Sequence, residues 1–175
     1  FDKDKKVLVA FPQGKGGEYD VPDTVKTIGE AAFTNCENLG GVNMPRGLTT
    51  IEDDAFRFCS SMDQVNIPST VESIGAQAFE SCHSLKSLAI PTTVESIGYH
   101  AFSSCENLVV TCRSDAYAKE YCDANDIECV SPETKLKFAE ESVVKTYGDE
   151  PFTNELTYET DGKLRYESSN DRVDW

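Results

Sequence analysis

Seven cysteines and two histidines are the residues of this 175-residue chain with the most chemistry to offer, as nucleophiles, metal ligands or disulfide partners. Four of the cysteines, Cys36, Cys59, Cys82 and Cys105, recur at a fixed interval of 23 residues. A nucleophile needs one special site with a base in reach, so a thiol repeated at every interval argues against catalysis. Each is expected to fill the same small buried slot, as a compact apolar side chain with a weak S–H donor. His83 and His100 stand at unmatched positions in the interval and read as solvated surface residues. Cys112, Cys122 and Cys129 fall outside it. Their C-x9-C-x6-C spacing lacks the close C-x2-C pairing of zinc sites, so no metal is expected. A disulfide among the three, as in an exported protein, and three buried free thiols both remain open.

Other apparent motifs carry less. G-K-G-G at Gly14 to Gly17 lacks the Lys-Ser/Thr and following helix of a phosphate loop, and a hairpin turn accounts for it. Asp53-Asp54 has no calcium-ligand spacing, and no D-x-D-x-D-G loop occurs. No paired carboxylates and no nucleophile with base and orienter can be assembled, so the chain is expected to have no enzyme activity and no cofactor.

The elements that position the cysteines follow from the same interval. Proline recurs at Pro22, Pro45, Pro68 and Pro91, isoleucine at Ile28, Ile51, Ile74 and Ile97, and phenylalanine at Phe33, Phe56, Phe79 and Phe102. Four columns locked to one period mean tandem copies of one unit, and a period in the twenties belongs to leucine-rich repeats. Within one unit, Leu39, Val42, Met44, Leu48 and Ile51 match the L-x-x-L-x-L spacing. Alternation at Val42 and Met44 makes a short strand, and Pro45 ends it because proline cannot donate to a ladder. The I-x-x-x-A-F-x-x-C half is too short for a stable free helix but suits a helical turn on the convex side. Such a unit cannot close a core alone, so the expected fold is a solenoid with a parallel sheet on one face, short helical turns on the other, and a buried column of stacked Phe rings.

The segments V-P-D-T-V-K-T-I-G-E-A-A-F-T-N-C-E-N-L, I-P-S-T-V-E-S-I-G-A-Q-A-F-E-S-C-H-S-L and I-P-T-T-V-E-S-I-G-Y-H-A-F-S-S-C-E-N-L resemble the BspA-like leucine-rich repeats of bacterial surface proteins, across Val21 to Leu108. One unit departs, with Glu52 in place of the glycine at Gly29, Gly75 and Gly98. Residues 1–20 resemble the hairpin that introduces a repeat block in this family, with Val7 to Phe11 as one strand and Phe1 ending its partner. Residues 21–130 hold the repeats and a cap, in which S-D-A-Y-A-K-E-Y-C-D-A-N-D opens at Ser114 or Asp115 as a helix and Ile127 to Val130 follow as a closing strand. Inward-pointing Val110 and Cys112 imply that the last repeat strand has slipped by one residue relative to Leu88 and Ile90. Residues 131–175 resemble the opening of a bacterial immunoglobulin-like domain, through Y-G-D-E-P-F at Tyr147 to Phe152 and R-Y-E-S-S-N at Arg165 to Asn170. Both ends look cut, which leads to the expectation of a fragment of a longer protein.

Composition limits the partners. With 16 Lys and Arg against 31 Asp and Glu, the formal net charge is −15, which disfavours nucleic acid and anionic lipid surfaces. No window approaches the ~20 apolar residues of a membrane span. What remains for function is surface. Alternation places Asp20, Asn43, Asn66 and Ala89 in one outward column of the sheet and Glu18, Gly41, Gln64 and Ser87 in the next, a shallow polar face of the kind solenoids use for binding. The resemblance implies an extracellular or cell-wall-displayed, adhesin-like protein, expected as a monomer, that contacts a protein or cell-surface ligand. A spacer that holds another domain away from the cell wall is the alternative.

Overall fold

The computed structural model describes residues 1–131 and two short strands, 137–138 and 156–157. Residues 1–131 form one compact unit, a parallel solenoid of the leucine-rich repeat type whose coils each pass through three walls. In chain order the strands are β1 (Val7–Leu8), β2 (Gly17–Asp20), β3 (Thr27–Ile28), β4 (Leu39–Asn43), β5 (Thr50–Ile51), β6 (Gln64–Asn66), β7 (Ser73–Ile74), β8 (Ser87–Ala89), β9 (Ser96–Ile97), β10 (Val109–Thr111) and β11 (Glu128–Val130), with helix α1 (Tyr117–Ala124) before the last. The first wall is the continuous parallel sheet β1-β3-β5-β7-β9, in register Thr27↔Thr50 and Ser73↔Ser96. The second wall carries the longer strands in two parallel sheets, β2-β4-β6 and β8-β10-β11.

The third wall is made of tight turns. The N–H groups of Ala31, Phe33 and Asn35 donate to the carbonyls of Asp53, Ala55 and Arg57 in the next coil at 2.9, 2.7 and 2.9 Å. Asp54, Phe56 and Phe58 repeat the pattern toward Ala76, Ala78 and Glu80. The intervening N–H groups of Ala32, Thr34 and Cys36 close turns onto Gly29, Ala31 and Phe33, each at 3.1 Å. Unlike a helix, which satisfies its donors internally, this arrangement spends every second donor on the neighbouring coil. It requires left-handed backbone at two positions per repeat. Ala31, Asn35, Asp54, Phe58, Gln77, Ser81, His100 and Ser104 all have φ between 53 and 61°.

Between the walls runs the core. Phe33, Phe56, Phe79 and Phe102 are buried and stack with ring centroids 4.9, 5.1 and 5.5 Å apart and interplanar angles of 12 to 15°. Gly75 marks how tightly the coils sit. A Cβ there would lie 2.4 Å from the Asp53 nitrogen and 2.5 Å from the Glu52 carbonyl carbon. Glu52 fills the equivalent position one coil earlier, and its carboxylate accepts the Glu30 N–H at 2.9 Å.

The N-terminal segment trims one expectation. The strand ends at Leu8 rather than Phe11. On one edge β1 pairs in parallel with β3; on the other its Val7 carbonyl accepts the Asp2 N–H at 3.0 Å, on the side where Phe1 ends the expected partner, and β2 pairs in parallel with β4. The Lys6 carbonyl accepts Lys26 and Thr27, and the Leu8 carbonyl accepts Gly29, so these acceptors are committed to the next coil. Phe11 extends the Phe column, with its centroid 5.0 Å from Phe33. Residues 1–20 are therefore a further, diverged coil. The C-terminal end follows the sequence reading. Val110 pairs with Leu88 across 22 residues instead of 23, and Val110 and Cys112 are buried. The helix begins at Tyr117, later than expected, with Ala116 rather than Ser114 or Asp115 as its N-cap residue and no side-chain cap. Its Tyr121 meets Phe102 edge-on at 6.0 Å and accepts the Ala101 N–H at 3.0 Å, closing the ring column.

Residues 132–175 form a second unit. There β12 (Lys137–Phe138) pairs antiparallel with β13 (Leu156–Thr157). The remaining immunoglobulin-like motifs at Tyr147 to Phe152 and Arg165 to Asn170 lie outside the described residues. Among the described residues no helix is long and apolar enough to cross a membrane.

Candidate functional site

The wall of longer strands presents its outward residues to solvent because strand alternation sends Tyr19, Val42, Val65, Leu88 and Val110 inward. Asp20, Asn43, Gln64, Asn66, Ser87 and Ala89 are all exposed there. Register places Asp20 beside Asn43 and Asn43 beside Asn66, and Gly41 between Glu18 and Gln64. The Asn43 amide donates to the Asp20 carboxylate at 2.7 Å, so the column is a polar ladder.

The ladder of this wall is interrupted between β6 and β8, where one parallel sheet ends and the next begins, although the first and third walls continue past the same point. A groove of about 810 Å³ lies over the interruption. Asn43, Gln64, Asn66 and Ser87 line it, as do Glu18 and Gly41. Asp20 and Ala89 stand outside its lining. Sequence reasoning missed Asp63, His83 and Lys86 on the rim, which bring a carboxylate, an imidazole and an ammonium to one side. Their signal was present in the residues just before the strands, which the outward-column reading did not include. Val65 beneath the groove is only half-buried, whereas Val42 and Leu88 are buried, so part of the floor is apolar and reachable. Gly41 keeps the floor low, since a Cβ there would come within 3.1 Å of the Gln64 carbonyl oxygen.

A second feature sits on the turn wall. Phe58 is exposed and carries φ 61°, in a column whose other members are Asn35, Ser81 and Ser104. The Arg57 guanidinium lies 4.7 Å from the Phe58 ring centroid and is held by Glu80 at 2.8 Å and Asp54 at 3.3 Å. Tyr99, the most exposed of the large hydrophobic side chains among the described residues, stacks on His100 at 3.7 Å.

The column cysteines are structural in geometry. The Cys59, Cys82 and Cys105 thiols donate to the carbonyls of Phe33, Phe56 and Phe79 in the preceding coil, at 3.1, 3.2 and 3.0 Å. Burial pushes the Cys59 thiol up to about 12. Cys112, Cys122 and Cys129 converge under the cap, with Cys129 opposite Val110, and all three are free thiols. Burial likewise pushes Cys112 and Cys122 up to about 12. His83 contacts the Ser104 carbonyl at 3.0 Å, and His100 lies against Tyr99. Among the described residues no group of three His, Cys, Asp or Glu side chains could hold a metal ion.

Residues 10–122 match the model for a BspA type leucine rich repeat region, in six copies. None of the curated proteins matches the chain. Among solved structures, the Treponema pallidum leucine rich repeat protein is 35% identical with a TM-score of 0.53, over 54% of this chain and 44% of its own. A leucine-rich repeat protein from Eubacterium ventriosum is 32% identical with a TM-score of 0.55, over 64% of this chain and 31% of its own. A leucine rich cell surface protein from Faecalibacterium prausnitzii, at 24% identity and a TM-score of 0.64, shares the fold over 74% of this chain and 36% of its own. The chain thus spans less than half the length of these proteins. With the Phe and Cys columns on one interval and six matched copies across most of the coil, the chain belongs to the BspA-type leucine-rich repeat family.

Proposed function

We propose that this chain is a non-enzymatic recognition module of an extracellular bacterial surface protein, and that it binds a protein or cell-surface ligand through the groove on its strand wall. The observation that carries the reading is the groove itself, polar on its walls, partly apolar on its floor, and set where the main-chain ladder of that wall is interrupted. Solenoids commonly bind through such surfaces, because stacked repeats present an extended face that no single unit could. Family membership and the cell-surface protein that shares the fold support the location. The stretch from Ser131 is proposed as the start of an immunoglobulin-like domain, on the strength of its sequence motifs.

The test is capture of host matrix proteins and of whole cells by the immobilised chain, compared with a variant carrying Asn43→Arg and Asn66→Arg. Two long cations on this face change both its shape and its potential. Binding is expected to weaken by about tenfold or more, a loss of ~1.4 kcal/mol, with an unchanged melting temperature. Unaltered affinity for a demonstrated partner contradicts the reading. The spacer alternative draws on the groove alone, whose lining holds no Arg or aromatic anchor of the kind that usually dominates protein interfaces. A spacer captures no partner with any face.

A further inference from the structure

The four column thiols are not equivalent. Cys36, Cys59 and Cys82 are fully buried, while Cys105, last in the column, is partly exposed. It lines a cleft of about 340 Å³ between the final turn and the cap helix, with His100, Tyr121 and Asn125 around it. Solvent can therefore reach one thiol at the end of a row whose remaining members are sealed.

Cys82 lies directly behind it. The Cys105 thiol is aimed back at the coil that carries Cys82, donating to the Phe79 carbonyl at 3.0 Å, and that same oxygen accepts the Cys82 N–H at 3.3 Å. The two thiols point the same way along the stack, the Cys82 thiol donating to the Phe56 carbonyl at 3.2 Å one coil further back, so the Cys105 sulfur sits over the Cys82 position. Equivalent rings of these two coils, three residues away, stack 5.5 Å apart. A coil spacing of that size falls within the Cα separation that a disulfide spans, about 4.4 to 6.8 Å. The interaction between the two thiols lowers Cys105 and, with burial, raises Cys82, so Cys105 is the member of the pair that ionises first.

We propose that Cys105 and Cys82 are a peroxide-sensitive dithiol, in which Cys105 meets the oxidant and Cys82 resolves it, stapling two adjacent coils beneath the cap. The Cys105 thiolate attacks a hydroperoxide; an S–O bond forms, the O–O bond breaks, and water or an alcohol leaves, giving a sulfenic acid. Cys82 then attacks the sulfenic sulfur as it gives up its proton. The S–S bond forms, the S–O bond breaks and a second water leaves. Two thiols have lost two electrons to one hydroperoxide, and no further reactant is needed.

The experiment treats the folded chain with hydrogen peroxide, blocks the remaining thiols, and digests without reductant using trypsin and a Glu-specific protease. Cleavage at Lys86 and Glu106 separates Cys82, Cys105 and Cys112 onto different peptides. The expected result is a Cys82–Cys105 linked pair that disappears on reduction. In Cys82→Ser the link is lost and dimedone labelling at Cys105 rises several-fold, because the sulfenic acid has no resolving thiol. Cys105 left unmodified, Cys105 oxidised while Cys82 stays free, or peroxide linking only thiols of the cap such as Cys122 and Cys129 would each overturn the proposal. The first arm uses the unaltered chain, so its outcome does not depend on whether the variant folds.

Discussion

The turn wall and the strand wall of this solenoid are built from the same 23-residue unit and differ in continuity. On the turn wall, alternate N–H groups bind every coil to the next and the Phe rings stack without a break. On the strand wall the ladder is interrupted between β6 and β8, and a groove of about 810 Å³ opens there. A solenoid can afford one interrupted wall because each coil is still held by the other two. Stability thus resides where the repeat is most regular, and the face proposed for recognition lies where regularity lapses.

The sharpest way to break the comparison is to remove a ring. Phe56→Ala should destabilise the unit by about 3 to 5 kcal/mol, read as a lower urea midpoint, whereas Asn66→Ala on the strand wall should change it by less than ~0.5 kcal/mol. Equal effects would mean that the two walls bear the fold alike. Alkaline titration comes next. Cys59, Cys112 and Cys122 have ordinary values of 9.0 raised by burial to about 12, so above pH 9 the unfolded chain loses protons that the folded chain keeps. Stability is then fully present below pH 9 and falls as pH rises toward 12, by up to about 1.4 kcal/mol per unit for each thiol. A urea midpoint unchanged between pH 8 and pH 10.5 would show that these thiols are not sealed.

Gly75→Ala tests the spacing of the coils. The added Cβ meets the backbone of Asp53 and Glu52, so a loss of about 1 to 3 kcal/mol is expected, while Gly14→Ala, with open space around it, should be near neutral. The smallest effect should be a gain. Ala31 holds φ 53°, and Ala31→Gly relieves that conformation, raising stability by up to about 1 kcal/mol in thermal unfolding. A loss there would mean that the Ala31 side chain contributes more by packing than its backbone costs.

Much of the stability half of this comparison was legible in the sequence. Phe33, Phe56, Phe79 and Phe102 announce themselves because a large ring can stack on its copy only if the interval is strict. The slip at Val110 and Cys112 was legible too, since the unslipped register would bury Thr111 and Arg113. The diverged first coil was not, because Phe11 precedes Phe33 by 22 residues and none of the proline, isoleucine or cysteine markers accompanies it. The exposed members of the candidate face were readable from alternation. The groove was not, because it depends on whether β6 and β8 pair, and Val65 and Leu88 occupy matched inward positions that give no warning. Phe58 was findable in principle, as the one aromatic in a column of Asn and Ser.

Native-state hydrogen exchange tests the difference between the walls most directly. The backbone amides of Phe56 and Phe79, which bind the turn wall across coils, should exchange at least about tenfold more slowly than the amides of β6 and β8 that face each other across the interruption, since protection follows the hydrogen bonds that must open. Protection across β6 and β8 equal to that of Phe56 and Phe79 would mean the strand wall is as continuous as the turn wall, and would contradict the assignment of the groove to a break in the ladder.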